Sequence, residues 1–160
     1  MIKRFSVLTS VVLLSLSVMT ALSSAAAGDS AKGRGTTPQE RFSFQAQGTG
    51  ALDRANGSSS VTLTSLDPNI TITGNVTCMT IVGKDAAIGG QITSVKPAGA
   101  AAALGFAQGF LIFAEDNSKP SNGLDLYEFT TEQLPPAACP APFGFGSNVI
   151  SGDIAITPGL

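Results

Sequence analysis

The chain has 160 residues, 12% of them charged and 43% hydrophobic, with two cysteines, no histidine and no tryptophan. The lack of histidine excludes Ser-His-Asp and Cys-His nucleophilic centres and histidine-ligated zinc. A formal net charge of −2 with no basic cluster speaks against nucleic acid and anionic membranes as partners.

Residues 1–27 have the three-part layout of a secretory signal peptide. Lys3 and Arg4 are followed by an apolar run from about Phe5 to Leu22, centred on Val11-Val12-Leu13-Leu14. The small residues Ser23-Ser24-Ala25-Ala26-Ala27 close it, and Ala25 and Ala27 fit the small-x-small cleavage pattern. The rival is a membrane anchor, but the run is near the lower length limit for a span. It is also diluted by Ser6, Thr9, Ser10, Ser15 and Ser17. Cleavage and a secreted, extracellular product are expected, with no membrane span after cleavage. About 133 residues then remain, with seven basic and eleven acidic side chains, a formal charge of −4. That length suits one domain with a real core.

From Gly28 to about residue 40 the residues are small, polar or charged, as in Asp29-Ser30-Ala31-Lys32-Gly33-Arg34-Gly35. The absence of apolar periodicity reads as a flexible lead-in over 28–40, ahead of a β domain over 41–160. Apolar residues then recur every second position. Phe42, Phe44 and Ala46 form one such set, Val61 and Leu63 another, and Ile70, Ile72, Val76 and Cys78 a third. This alternation, rich in β-branched residues, marks half-buried strands. Asn56-Gly57, Asp67-Pro68-Asn69 and Gly83-Lys84-Asp85 read as turns. Residues 98–104, Ala-Gly-Ala-Ala-Ala-Ala-Leu, read as a loop rather than a short helical turn. Phe110-Leu111-Ile112-Phe113 is apolar on both faces and reads as a central strand covered on both sides.

The pattern aliphatic, small, Gly, polar, aliphatic occurs three times, around Gly74, Gly90 and Gly152. A glycine in mid-strand permits strong coiling, a bulge or close approach of another backbone. The functional alternative is a pocket for a small apolar ligand, with Gly74, Ala87, Gly90 and Gly152 as its small inward residues.

Cys78 and Cys139 form one disulfide by default in an oxidising compartment. It would close a loop of about 60 residues, worth roughly 4 kcal/mol in the chain-entropy model. No cofactor motif is present. The polar loop from Glu115 to Asp125 carries the oxygen-bearing Asp116, Asn117, Asn122 and Asp125, a candidate calcium set. It lacks the EF-hand register, and Pro120 interrupts it, so ordinary turn chemistry explains it equally well. No catalytic residue is assigned. An enzyme would draw on Glu115, Asp116, Asp125, Glu128 or Tyr127.

The chain resembles a group of small secreted bacterial proteins of actinobacterial type. The residues that carry the resemblance are Gly28-Asp29-Ser30, Phe42-Ser43-Phe44, Gly74-Asn75-Val76-Thr77-Cys78-Met79 and Val82-Gly83-Lys84-Asp85-Ala86-Ala87-Ile88. Glu115-Asp116-Asn117, Pro135-Pro136-Ala137-Ala138-Cys139-Pro140 and Gly152-Asp153-Ile154 complete it. The group has no assigned function. The resemblance implies a Cys78–Cys139 bridge and a single β domain, and no catalytic residue.

Together these readings predict an all-β, single antiparallel domain of seven to eight strands. An up-and-down barrel or strongly coiled sheet is favoured over a two-sheet sandwich. The expected function is a non-catalytic secreted protein acting by structure or interaction, with a protein or small ligand as partner. A ligand carrier is the alternative, and a cofactor-free barrel enzyme the weaker one.

Overall fold

The computed structural model describes residues 28–51, 54–117, 123–143 and 146–159. Residues 1–27, read above as a signal peptide, and Asn122 lie outside the described residues. Nine strands follow in chain order: β1 (Ser30–Thr36), β2 (Glu40–Gly48), β3 (Arg54–Leu63), β4 (Ile70–Val82), β5 (Asp85–Lys96), β6 (Gly109–Glu115), β7 (Leu126–Glu132), β8 (Ser147–Asn148) and β9 (Ser151–Thr157). They form one antiparallel sheet in the order β8-β7-β6-β5-β4-β3-β2-β1-β9. Consecutive strands pair throughout except that β9 returns to β1. Such a meander needs only short connections, which matches the turn-rich sequence.

The sheet coils into a half-barrel. β8 and β9 are successive parts of one segment, so the chain from Ser147 to Thr157 lies first on the β7 edge and then on the β1 edge. Between them the Val149 amide donates to the Asp125 carbonyl (2.9 Å) and the Ile150 amide to the Thr36 carbonyl (2.8 Å). Inward residues fill the interior: Phe42, Phe44, Val61, Val76, Met79, Ile88, Phe110, Ile112, Tyr127 and Ile154 form one buried cluster. Phe42 and Tyr127 stack across it with ring centroids 3.9 Å apart and planes at 5°.

Several expectations change. The predicted flexible lead-in is strand β1, paired along its whole length with β2 and β9. Its glycines make room for neighbours: a Cβ on Gly33 would stand 2.6 Å from Phe44 Cε1, and one on Gly35 2.9 Å from Val149 Cγ1. Asn56-Gly57 is not a turn but part of β3, opposite Gln47 and Ala46. The chain reverses earlier, where the Thr49 amide donates to the Arg54 carbonyl. Residues 98–101 form a short 3-10 helix, and its Ala100 packs with Ile70 and Ile72 as a cap on one end of the barrel.

Cys78 does not share a face with Val76. Val76 pairs with Gly90 and Cys78 with Gly89, so Thr77 is an extra residue on β4. A bulge of one residue turns every following side chain to the other face. Met79 and Ile81 therefore join the interior, while Cys78 points outward into a second cluster with Ala87, Phe113 and Cys139. The double-sided reading of the Phe110–Phe113 run is correct: Phe110 and Ile112 lie inside, and Phe113 belongs to the outer cluster.

Candidate functional site

Cys78 and Cys139 are joined by a disulfide, with Cα atoms 5.5 Å apart. It anchors the proline-rich segment after β7 on the outer face of β4, β5 and β6. The Thr80 hydroxyl donates to the Cys139 carbonyl (3.3 Å), and the rings of Phe113 and Phe143 lie 4.1 Å apart. A Cβ on Gly89 would stand 2.7 Å from Pro136 and 2.8 Å from Cys78 Sγ. The pair is a structural strap, buried by what it holds down.

The four residues expected to line a ligand pocket do not converge. Gly74 and Gly90 lie under the ring of Phe110, with a Cβ on either one coming within 2.7 Å of a ring carbon. Ala87 points to the outer face beside the disulfide. Gly152, at φ +109°, backs onto the Arg34 carbonyl, where a Cβ would stand at 2.0 Å. At the three glycines the missing side chain admits a ring or a backbone.

The carboxylates of the candidate calcium loop tie that loop to β9. Asp125 is 6% exposed. One of its oxygens accepts the Asn117 amide (2.9 Å) and the other the Ile154 amide (2.8 Å). Asp116 accepts the Ile156 amide at 3.4 Å. Ile154 and Ile156 belong to β9, whose other edge pairs with β1. Side-chain carboxylates thus cover amides that an edge strand would leave open. Among the described residues no group of three or more Cys, Asp or Glu has a geometry that could hold a metal ion.

The most perturbed titratable groups meet where the β1–β2 turn approaches β7 and β8. An open depression of about 350 Å³ there is lined by Thr37, Gln39, Glu40, Tyr127, Glu128, Phe129, Gly146 and Ser147. Burial, reinforced by repulsion from Glu128, pushes the Glu40 carboxyl from 4.5 up to about 7. Burial, then Glu40, holds the Tyr127 phenol well above its ordinary value. The Tyr127 hydroxyl is buried with no hydrogen-bond partner among the described residues. The Glu40 amide donates to the Thr37 hydroxyl (3.1 Å), which also lines the depression. Sequence reading did not find Glu40, because inward and outward positions become ambiguous at a strand end.

A second, apolar groove of about 500 Å³ lies at the capped end, between Leu66, Pro68 and Ile70 on one side and Pro97, Ala100 and Ala103 on the other. Among the described residues no helix is long and apolar enough to cross a membrane. Comparison with protein-family models, curated proteins and solved structures finds no match.

Proposed function

We propose that the protein is a secreted, non-catalytic β domain that acts through its outer surface, as a structural or interaction protein outside the cytoplasm. The observation that carries the reading is the filled interior. Rings of Phe42, Phe44, Phe110 and Tyr127 occupy the space a carrier would reserve for its ligand. The disulfide is compatible with an oxidising extracellular setting. The leader at residues 1–27 supplies the route.

Cell fractionation with N-terminal sequencing tests the secretion half of this reading. The expected result is a chain in the culture medium that starts at Gly28. A full-length chain retained with the cells would contradict it.

A further inference from the structure

The outer face of β9, β1, β2, β3 and β4 differs from the rest of the surface. Cross-strand register places its side chains in rows, each one polar or nearly so. One row runs Asp153, Arg34, Ser43, Ser60, Thr73. The next runs Ala155, Lys32, Gln45, Ser58, Asn75. A third runs Ser151, Thr36, Arg41, Thr62, Thr71 and on to Lys96 of β5. Hydroxyls link within this row: Thr36 to Ser151 at 2.6 Å and Thr62 to Thr71 at 3.0 Å.

Charge on this face is one-sided. Lys32, Arg34 and Arg41 stand on it against one carboxylate, Asp153. The carboxylates of Asp85, Glu115, Asp116, Asp125 and Glu128 belong to β5, β6, β7 and the loops between them. Among the described residues the ion pair found is Lys84 with Glu115, at the far hairpin, and none involves Lys32, Arg34 or Arg41. A chain acidic overall therefore presents a basic, hydroxyl- and amide-covered face.

Three adjoining depressions run along β1 on that face. The first, about 350 Å³, includes Arg34, Thr36, Arg41 and Ser151. The second, about 250 Å³, shares Arg34 and adds Lys32, Ser43, Gln45 and Asp153. The third, about 490 Å³, shares Lys32 and Gln45 and adds Gln47, Asn56 and Thr157. Seven strand residues give the strip a length of roughly 23 Å, with Lys32 and Arg34 about 7 Å apart. Arg41 lies one strand over, diagonal to Arg34, at about 7–8 Å.

We infer that this strip binds an extended acidic polysaccharide lying along β1. Three cations at regular short intervals match carboxylates carried at intervals along a polymer. The Ser, Thr, Asn and Gln side chains between them supply both donors and acceptors for sugar hydroxyls. The strip carries no exposed aromatic on which nucleic-acid bases could stack, which favours a glycan over single-stranded nucleic acid. The inference rests on the proposed secreted, surface-acting role and names the partner's chemistry.

The test measures binding of the cleaved, disulfide-bonded protein to oligogalacturonate, with neutral dextran and a single-stranded oligodeoxynucleotide as comparisons. Saturable binding to oligogalacturonate that weakens with salt, and none to dextran, is expected. The exposed double variant R34Q/R41Q should lose about tenfold or more in affinity at unchanged circular dichroism. K84Q, on the far hairpin, should bind as the parent does. No binding to oligogalacturonate, equal binding by R34Q/R41Q, or equal binding of the oligodeoxynucleotide would overturn the inference. A chain found in the medium that binds no oligogalacturonate loses this ligand class alone, and the surface-acting role is judged separately by its own test.

Discussion

Gly33 of β1 lies beneath the ring of Phe44, and a Cβ at that position would stand 2.6 Å from Phe44 Cε1 and 2.7 Å from Cζ. The ring is 4% exposed and cannot swing outward without leaving the core. Gly33→Ala is therefore expected to destabilise by about 1–3 kcal/mol through overpacking. The crowding atoms are side-chain atoms, from Phe44 and Ile154. Pairing Gly33→Ala with Phe44→Leu should then recover about 1 kcal/mol relative to the sum of the single changes. A urea-unfolding double-mutant cycle measures the coupling, and strict additivity would show that the ring and the glycine do not share this space.

Asp125 joins the β6–β7 connection to β9 by accepting the amides of Asn117 and Ile154. Asp125→Ala leaves a buried strand amide unpaired and is expected to cost about 2–4 kcal/mol. Asp125→Asn keeps one acceptor oxygen and should fall between Ala and the parent. Amide exchange at Ile154 reads the same event locally: protection should drop in Asp125→Ala well before it drops at Ile112 in the central sheet.

The pH dependence follows from Glu40. Its carboxyl keeps a proton up to about pH 7 in the folded chain, against an ordinary value of 4.5. Between those values the folded state binds more protons than the unfolded state, so this group's contribution to stability falls as pH rises. The contribution is fully present below about pH 4.5 and gone above about pH 7. Because Glu40 is only partly buried, screening reduces the effect to on the order of 1 kcal/mol. Glu40→Gln should flatten the thermal-unfolding midpoint between pH 5 and 8 and raise it at pH 8. A variant with the parent's slope would show that another group sets it.

The disulfide strap gives a fourth readout of the fold. Cys78 is 1% exposed, and Cys139 is 8% exposed. Reduction by a dithiol should therefore require local opening and run slowly under native conditions. The double variant C78S/C139S is expected to lose about 2–5 kcal/mol. Loosening the strap uncovers Phe113 and Ala87, so binding of a fluorescent apolar dye should increase. Unchanged dye binding would mean that Phe143 and Pro136 hold the segment down without the bridge.

How much was legible in the sequence depended on periodicity. The runs around Phe42, Val61 and Ile70 alternate and place their strands, and the continuous apolar run Phe110–Phe113 places a strand covered on both sides. β1 carries no such signal, because Ala31, Gly33 and Gly35 put almost no hydrophobicity on its inner face. Its signal lies in Phe42 and Phe44 on the next strand, whose rings need that space. Cys78 faces opposite to what the period of two predicts, because a bulge at Thr77 breaks the period without a sequence mark. Asp125 resembled a solvated loop carboxylate, since its two amide donors are 8 and 29 residues away along the chain. The outer-face cations are hidden for the same reason: Arg41 comes beside Lys32 and Arg34 only through the β1–β2 register.

The central claim is that the interior is filled and that the protein acts through its surface. Native against denaturing mass spectrometry on protein recovered from its own culture medium tests it most directly. The account predicts a chain starting at Gly28, two hydrogens lighter than the reduced form, with no small molecule retained in the native spectrum. A native mass carrying a small apolar molecule that is lost on denaturation would contradict it, because such a ligand would have to occupy the space assigned to Phe42, Phe44, Phe110 and Tyr127.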